Sequence, residues 1–320
     1  MADKILLDRN LTIEAVRVTE AAAIAAAEVM GRGDEKIADQ AAVDAMRTAL
    51  NHLHIAGTVV IGEGERDEAP MLFIGEEVGT GDGPKIDIAL DPLEGTTITA
   101  KGMPNGLAVL ALSEAGGLLN APDVYMDKIA AGPGVPTDAI DLDNSAEDNI
   151  YNVAKAVGKD PRDVVACILD RPRHGELIAA VREAGARIVL IGDGDVAGVM
   201  ATAMPETGID IYMGTGGAPE GVLAAAALRC IGGNIQGRLL FRNDDERGRA
   251  AKVGVEDLNR KYEITDLASG DVIFAATGVT DGNMLQGVRR TAHTLTTESV
   301  AMRARTGTVR WIRMQHPIRK

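Results

Sequence analysis

The chain has 320 residues, enough for two average domains or one large α/β unit. With 46% hydrophobic and 25% charged residues it can bury a sizeable core and does not read as disordered. Lys and Arg number 33 against 47 Asp and Glu, and the resulting net charge of −14 repels nucleic acid and anionic membrane, so neither is expected as a partner. Aromatics are scarce (Trp 1, Tyr 4, Phe 3), which argues further against base stacking and leaves the core to Ala, Val, Ile, Leu and Met.

From the N-terminus, MADKILLDRN is too short and too charged for a signal peptide. A helix is predicted over 12–30, with Thr12 as N-cap, Glu14 in the first turn and Gly31 and Gly33 as stops. Glu20 and Glu28 bracket its Ala-rich run, so no uncharged stretch long enough to span a bilayer exists. A second helix over 35–53 carries Val43, Met46, Leu50 and Leu53 on one stripe. Strands follow at 58–62, 85–90 and 107–113. The stretch 120–143, with Pro122, Gly132, Pro133, Gly134 and Pro136, reads mostly as loop and leads to a junction before Pro161. The expected division is therefore 1–160 and 161–320. Beyond it, strands and helices alternate: 164–169, 174–184, 187–191, 196–203, 209–213 and 221–231, then strands at 233–240, 271–276 and 308–314. This is α/β layering (α+β layered), with chemistry expected at the carboxyl ends of strands. The basic stretch 303–320 reads as a solvated edge strand and tail. Cys167 and Cys230 lie in apolar runs, which fits a reducing cytoplasm without a disulfide framework.

Carboxylates collect at four places. Asp39 shares the apolar stripe of the second helix, so it is either a first-turn acid reaching water or a carboxylate turned toward other groups. After the first strand, Glu63, Glu65 and Asp67 alternate among glycines, as a solvated turn or as a face that a ligand approaches closely. In Asp91-Pro-Leu-Glu94-Gly-Thr96, Pro92 is expected to end the strand, delivering Asp91 at its end and Glu94 in the turn. Gly95 and Thr96 would offer N–H groups and a hydroxyl to an anion. Glu220 opens an Ala-rich helix after Pro219, which is also an ordinary helix start. No His/Cys cluster has zinc spacing; if these acids converge, oxygen-only ligation selects Mg²⁺ or Mn²⁺.

Residues 191–197 fit G-x-G-x-x-A, but Asp193 and Asp195 would face a pyrophosphate and Tyr212 and Met213 stand where a ribose-binding acid belongs, so a dinucleotide oxidoreductase is disfavoured. No G-x-x-x-x-G-K-[ST] exists, and Arg32-Gly33-Asp34 is read as an incidental match to an adhesion tripeptide. A non-catalytic divalent-cation module would share the acids without needing Thr96, Arg171 or Arg173.

The segments Gly31-Arg-Gly-Asp34, Ala38-Asp39, 60–71, Asp91-Pro-Leu-Glu94-Gly-Thr96, 120–126, Arg171-Pro-Arg-His174, Asp193-Gly-Asp195 and Gly216-Gly-Ala-Pro-Glu220-Gly, in this order, strongly resemble bacterial class II fructose-1,6-bisphosphatases over nearly the whole chain. The resemblance implies the sugar-phosphatase fold of the fructose-bisphosphatase/inositol-monophosphatase superfamily, and Mg²⁺- or Mn²⁺-dependent removal of the 1-phosphate of fructose 1,6-bisphosphate in gluconeogenesis or the Calvin cycle. Sedoheptulose 1,7-bisphosphate and inositol phosphates are the alternative substrates it leaves open. It implies Asp39, Glu63, Asp91, Glu94 and Glu220 as metal ligands. It implies Thr96 as the water-activating hydroxyl, hydrogen-bonded to Asp34 or Asp39, with Asp67 and Asp34 as further catalytic residues. The implied substrate set is Glu94, Gly95, Thr96, Tyr125, Arg171, Arg173, His174, Asp193, Gly194, Asp195 and Gly217. Where the family often has Lys after Gly-Arg-Gly-Asp, this chain has Glu35 followed by Lys36, and Lys36 is taken as the corresponding cation. A cytoplasmic homo-oligomer, dimer or tetramer, completes the expectation.

Overall fold

A computed structural model describes residues 10–64 and 71–318. They form two compact units, unit 1 from Met1–Leu118 with Ser269–Lys320 and unit 2 from Leu119–Ala268. In chain order, unit 1 opens with α1 (Leu11–Ala27), α2 (Glu35–Leu50), β1 (Ala56–Ile61), β2 (Glu77–Val78), β3 (Lys85–Glu94), α3 (Thr96–Ala100) and β4 (Leu107–Glu114). Unit 2 holds β5 (Tyr125–Ala131), α4 (Ala146–Val157), β6 (Val165–Leu169), α5 (Gly175–Glu183), β7 (Arg187–Ile191), α6 (Asp195–Ala201), β8 (Ile211–Gly217), α7 (Ala218–Ile231), β9 (Asn234–Leu240), α8 (Asp244–Lys252), β10 (Lys261–Glu263) and α9 (Ile264–Leu267). The chain then returns to unit 1 as β11 (Ile273–Gly278), β12 (Arg289–Arg290), β13 (Thr294–Arg303) and β14 (Thr308–Pro317). The division read at residue 160 is thereby corrected. The Pro/Gly-rich stretch lies inside unit 2, and β11 pairs with β4 from Ile273↔Leu112 to Gly278↔Leu107, tying the C-terminal strands to the N-terminal ones.

Unit 1 is built on a sheet ordered β12-β13-β11-β4-β3-β1-β2, with β14 paired along β13. Only β1 and β3 run parallel among its described pairs. Helix α1 packs on β4, β11 and β13 and against α2. Its Ala15, Ala22, Ala23 and Ala26 are fully buried, and side chains this small let the helix sit close to the sheet. Thr12 is not the cap: Leu11 is drawn into the core, so the helix starts earlier, Asn10 flanks it, and Thr12 is buried inside. Helix α2 presents Ala38, Ala42, Val43, Met46 and Leu50 to the same core, and Asp34 caps it by accepting the Ile37 N–H at 3.0 Å. Strand β14 alternates between half-buried and exposed residues, as expected of an edge.

Unit 2 has a sheet ordered β10-β9-β5-β8-β6-β7, in which β6 pairs parallel with β7 and β8 and the other pairs are antiparallel. Strand β5 corrects the loop reading of 120–143. It lies between β8 and β9, residues of both its faces are buried, and Tyr-Met-Asp-Lys-Ile-Ala-Ala lacks the alternation of a half-exposed strand. Both sheets are mixed and carry helices, the α/β layering expected. Cys167 and Cys230 are reduced and buried, and burial pushes the Cys167 thiol up to about 12. Among the described residues no helix is long and apolar enough to cross a membrane.

Candidate active site

In unit 1 the centre of interest is the end of β3. Pro92 does not end the strand as expected. Pairing with β4 shifts between Asp91↔Val109 and Glu94↔Leu107, so Pro92 and Leu93 together stand against Ala108. A bulge is where a residue without an N–H is tolerated in a sheet. The Asp91 carboxylate accepts the Leu93 N–H at 3.0 Å, and the strand runs on to the buried Glu94. Gly95 then adopts φ +87°, a left-handed turn that favours glycine, and α3 begins at the half-buried Thr96. The Thr99 N–H donates to the Gly95 carbonyl at 3.0 Å.

Helix α2 packs on β3 and α3. This puts Asp39 half-buried on an element that touches both, and burial pushes its carboxyl above the usual range. The loop ahead of α2 is fastened to α3, with the Gly31 N–H on the Thr99 carbonyl (3.0 Å) and the Gly33 N–H on Ala100 (2.9 Å). Asp34 is exposed and caps α2, and Lys36 is exposed. Glu63 is half-buried just past β1, its N–H on the Leu72 carbonyl at 3.0 Å. Asp67 and Glu65 lie outside the described residues. Gly62 is required beside Glu63, because a Cβ there would land on the Leu72 carbonyl oxygen. Gly62→Ala must move backbone, and it is expected to cost about 1–3 kcal/mol in urea unfolding; a change within 0.5 kcal/mol would show that the Leu72 loop gives way freely.

In unit 2 the central feature is Lys128 on β5. Its side chain is 0% exposed, its Nζ donates to the carboxylate of Asp195, itself 6% exposed, and to the Gly217 carbonyl at 2.8 Å. Asp195 opens α6 after Gly194, which is left-handed at φ +85°. Glu220, in the first turn of α7, folds over Gly217, where a Cβ would strike its carboxylate; at Gly216 a Cβ would strike Asp195 instead. The Glu220 Oε2 is enclosed and makes no hydrogen bond. Burial first, then the charge of Asp195, pushes its carboxyl up to about 7 against the pull of Lys128.

Two of the expected substrate residues are enclosed and already partnered. His174 is buried, its Nδ1 faces the Leu169 carbonyl at 2.7 Å, and its Nε2 accepts the Thr215 N–H at 2.8 Å. Burial lowers its pKa, so it is a neutral ring with both nitrogens taken by backbone. Asp195 faces Lys128 rather than an open surface. Glu94, Gly95 and Gly194 are buried as well, whereas Thr96, Tyr125, Arg171, Arg173, Asp193 and Gly217 are half-buried or exposed. Arg173 is exposed, donates to the Thr215 carbonyl at 3.0 and 2.7 Å, and lies over the Tyr125 ring at 4.9 Å. Arg171 lies 3.7 Å from Asp193, both half-buried.

Each unit thus gathers its own share of the expected residues. Among the described residues no three His, Cys, Asp or Glu side chains stand close enough to hold an ion as they are. The donors are nonetheless all carboxylates, the set that suits a hard divalent cation, and the enclosed Glu220 oxygen has no other partner.

Residues 9–316 match the family model described as bacterial fructose-1,6-bisphosphatase, glpX-encoded. The chain belongs to this family. It is 47% identical to fructose-1,6-bisphosphatase 1 class 2 of Escherichia coli K12, over 96% of this chain and 95% of that one. The class 2 fructose-1,6-bisphosphatase of Shigella flexneri matches at the same 47% with the same coverage. Among solved structures, an extragenic suppressor from Pyrococcus furiosus aligns over 60% of this chain and 71% of its own, at 15% identity and a TM-score of 0.32. An inositol monophosphatase from Anabaena (Nostoc) sp. PCC 7120 aligns over 61% and 72%, at 14% identity and 0.31, and likenesses this slight carry no argument.

Lys128 is a residue that sequence reasoning missed at this site. Its signal was slight: a nine-residue run, 123–131, bounded by Pro122 and Gly132-Pro133, in which Val124, Tyr125, Met126 and Ile129 suit a strand and Lys128 stands among them.

Proposed function

We infer that this chain hydrolyses fructose 1,6-bisphosphate to fructose 6-phosphate and phosphate, as a phosphoric monoester hydrolase. The observation that carries this is the family match over residues 9–316. Asp39, Glu63, Asp91, Glu94 and Glu220 would hold Mg²⁺ or Mn²⁺, which when bound supplies charge neutralisation and Lewis acidity at the scissile phosphate. The enclosed, partnerless Oε2 of Glu220 and the desolvated Asp39 support this, since each gains by meeting a cation. Glu94, Gly95 and Thr96 receive the scissile phosphate, and the Thr96 hydroxyl orients the attacking water with Asp34 and Asp67 as proton acceptors. Tyr125, Arg171, Arg173, Asp193, Gly194, Gly217 and Lys36 contact the sugar and its remote phosphate. His174 and Asp195 act as positioning residues, holding the Thr215 and Gly217 backbone through direct and Lys128-mediated bonds. A cytoplasmic homo-oligomer, dimer or tetramer, belongs to the same reading and rests on kinship.

The test is phosphate release from fructose 1,6-bisphosphate, sedoheptulose 1,7-bisphosphate, fructose 6-phosphate and inositol 1-phosphate. The first is expected to have the highest kcat/KM, and no release from it would overturn the assignment. Chelator is expected to abolish release, and Mg²⁺ or Mn²⁺ to restore it; activity indifferent to chelation removes the metal from the account.

A further inference from the structure

We propose that Arg242 is a second cation for the phosphate that is not cleaved, a specificity-determining residue held ready by Glu246; this rests on the bisphosphatase reading. Tyr125, at the start of β5, sits between Gly217 of β8 and Leu240 of β9. Two guanidinium groups lie over its ring, Arg173 at 4.9 Å and Arg242 at 4.8 Å from the centroid. Arg173 comes from the β8 side, anchored on the Thr215 carbonyl, and Arg242 from just beyond the end of β9. They are therefore no more than about 10 Å apart, within one Debye length, so both act on an anion bound at this ring.

The way each is held points to such an anion. Arg173 donates to Thr215 through Nε and Nη2. Arg242 reaches the Glu246 carboxylate through Nε at 2.6 Å and Nη2 at 2.5 Å. In both, Nη1 makes no hydrogen bond among the described residues, and the side chain of Arg242 is 60% exposed. Glu246, by contrast, is 2% exposed and fixed on every side. Its second oxygen accepts the Arg242 N–H at 2.7 Å, and its own N–H donates to the Asn243 cap of α8 at 2.9 Å. A buried carboxylate is expensive, whereas an exposed ion pair contributes little to stability. Burying Glu246 to orient an exposed arginine therefore makes sense for recognition more than for folding. A guanidinium pre-set on an aromatic face, with an open edge, fits a phosphate oxygen well.

Sequence alone hides this residue, because Arg242 lies 117 positions from Tyr125, in the turn before a charged helix. The remote phosphate is the ligand because Tyr125 and Arg173 already belong to the proposed substrate set while the acids and Thr96 take the reacting end.

Kinetics of Arg242→Met on fructose 1,6-bisphosphate and on p-nitrophenyl phosphate, which has no second phosphate, test the proposal. KM for the bisphosphate is expected to rise about 10–100-fold, the size of a lost charge-assisted hydrogen bond, while kcat changes little. The ratio of kcat/KM on the bisphosphate to that on the aryl ester is expected to fall by the same factor. Arg242→Lys should recover part of the loss, and Glu246→Gln should shift KM in the same direction by less. A bisphosphate KM within twofold of wild type, or an equal loss on both substrates, overturns the role of Arg242 and leaves the bisphosphatase reading standing. A wild-type chain that releases no phosphate from the bisphosphate overturns both.

Discussion

Thr96→Ala is expected to lower kcat on fructose 1,6-bisphosphate by about 10²–10⁴-fold, the range of a positioned proton-transfer group, with KM changed little. Thr96 is the first residue of α3, directly after the left-handed Gly95, so its hydroxyl stands at a point fixed by backbone rather than on a mobile loop. Alanine is a better helix former than threonine, and the fold is expected to survive the change. Thr96→Ser keeps the hydroxyl and should keep activity within about tenfold of wild type. Calorimetric titration with Mn²⁺ should show the alanine variant still binding. Small and equal losses in both variants would move the water-orienting role to another residue.

Lys128→Met is expected to destabilise the chain by about 3–5 kcal/mol, the cost of breaking a buried ion pair from one side. The substitution leaves Asp195 buried without its cation, with the enclosed Glu220 nearby and the Gly217 carbonyl without its donor. Unfolding in urea measures the loss, and a change below 1 kcal/mol would show that Asp195 finds water or another partner. Lys128→Met with Asp195→Asn should recover part of the stability, because the remaining side chain is neutral. A stable double variant with poor turnover would separate the support that Lys128 gives the Gly217 carbonyl and the Glu220 carboxylate from its effect on folding.

Much of this architecture could be read from the residues, and the failures share a physical cause. Strand β7 (Arg187–Ile191) matches its expected bounds, and β1, β4 and β6 come within two residues of theirs. Punctuation by glycine, proline and acidic loops delimits such segments well. Strand β5 was lost because residues of both its faces are buried and it carries a lysine whose charge is cancelled by Asp195, 67 residues away. No local pattern encodes that partner. The unit boundaries were misread for a similar reason, since pairing of β4 with β11 is invisible to composition. At the candidate site, the nearness of Asp91, Glu94 and Thr96 to one another was legible because one short segment carries them, while the bulge that lets the strand run past Pro92 was not. The burial of His174 and Asp195 was not legible, because their motifs name residue types, while burial and backbone bonds decide which way a side chain faces. Asp34 shows both, as an acid in a motif that also caps α2.

The return of β11 to β14 to the sheet begun by β1 to β4 has a consequence for biosynthesis. As the chain leaves the ribosome, residues 119–268 are all available to fold before β11, which flanks β4, and the strands that extend the sheet beyond it exist. Until then β4 offers an open edge in a nascent polypeptide, and α1 lacks two of the strands it covers. Loop-closure cost delays such distant pairings, so the joining of β11 to β4 is expected to be a late step in building the first sheet.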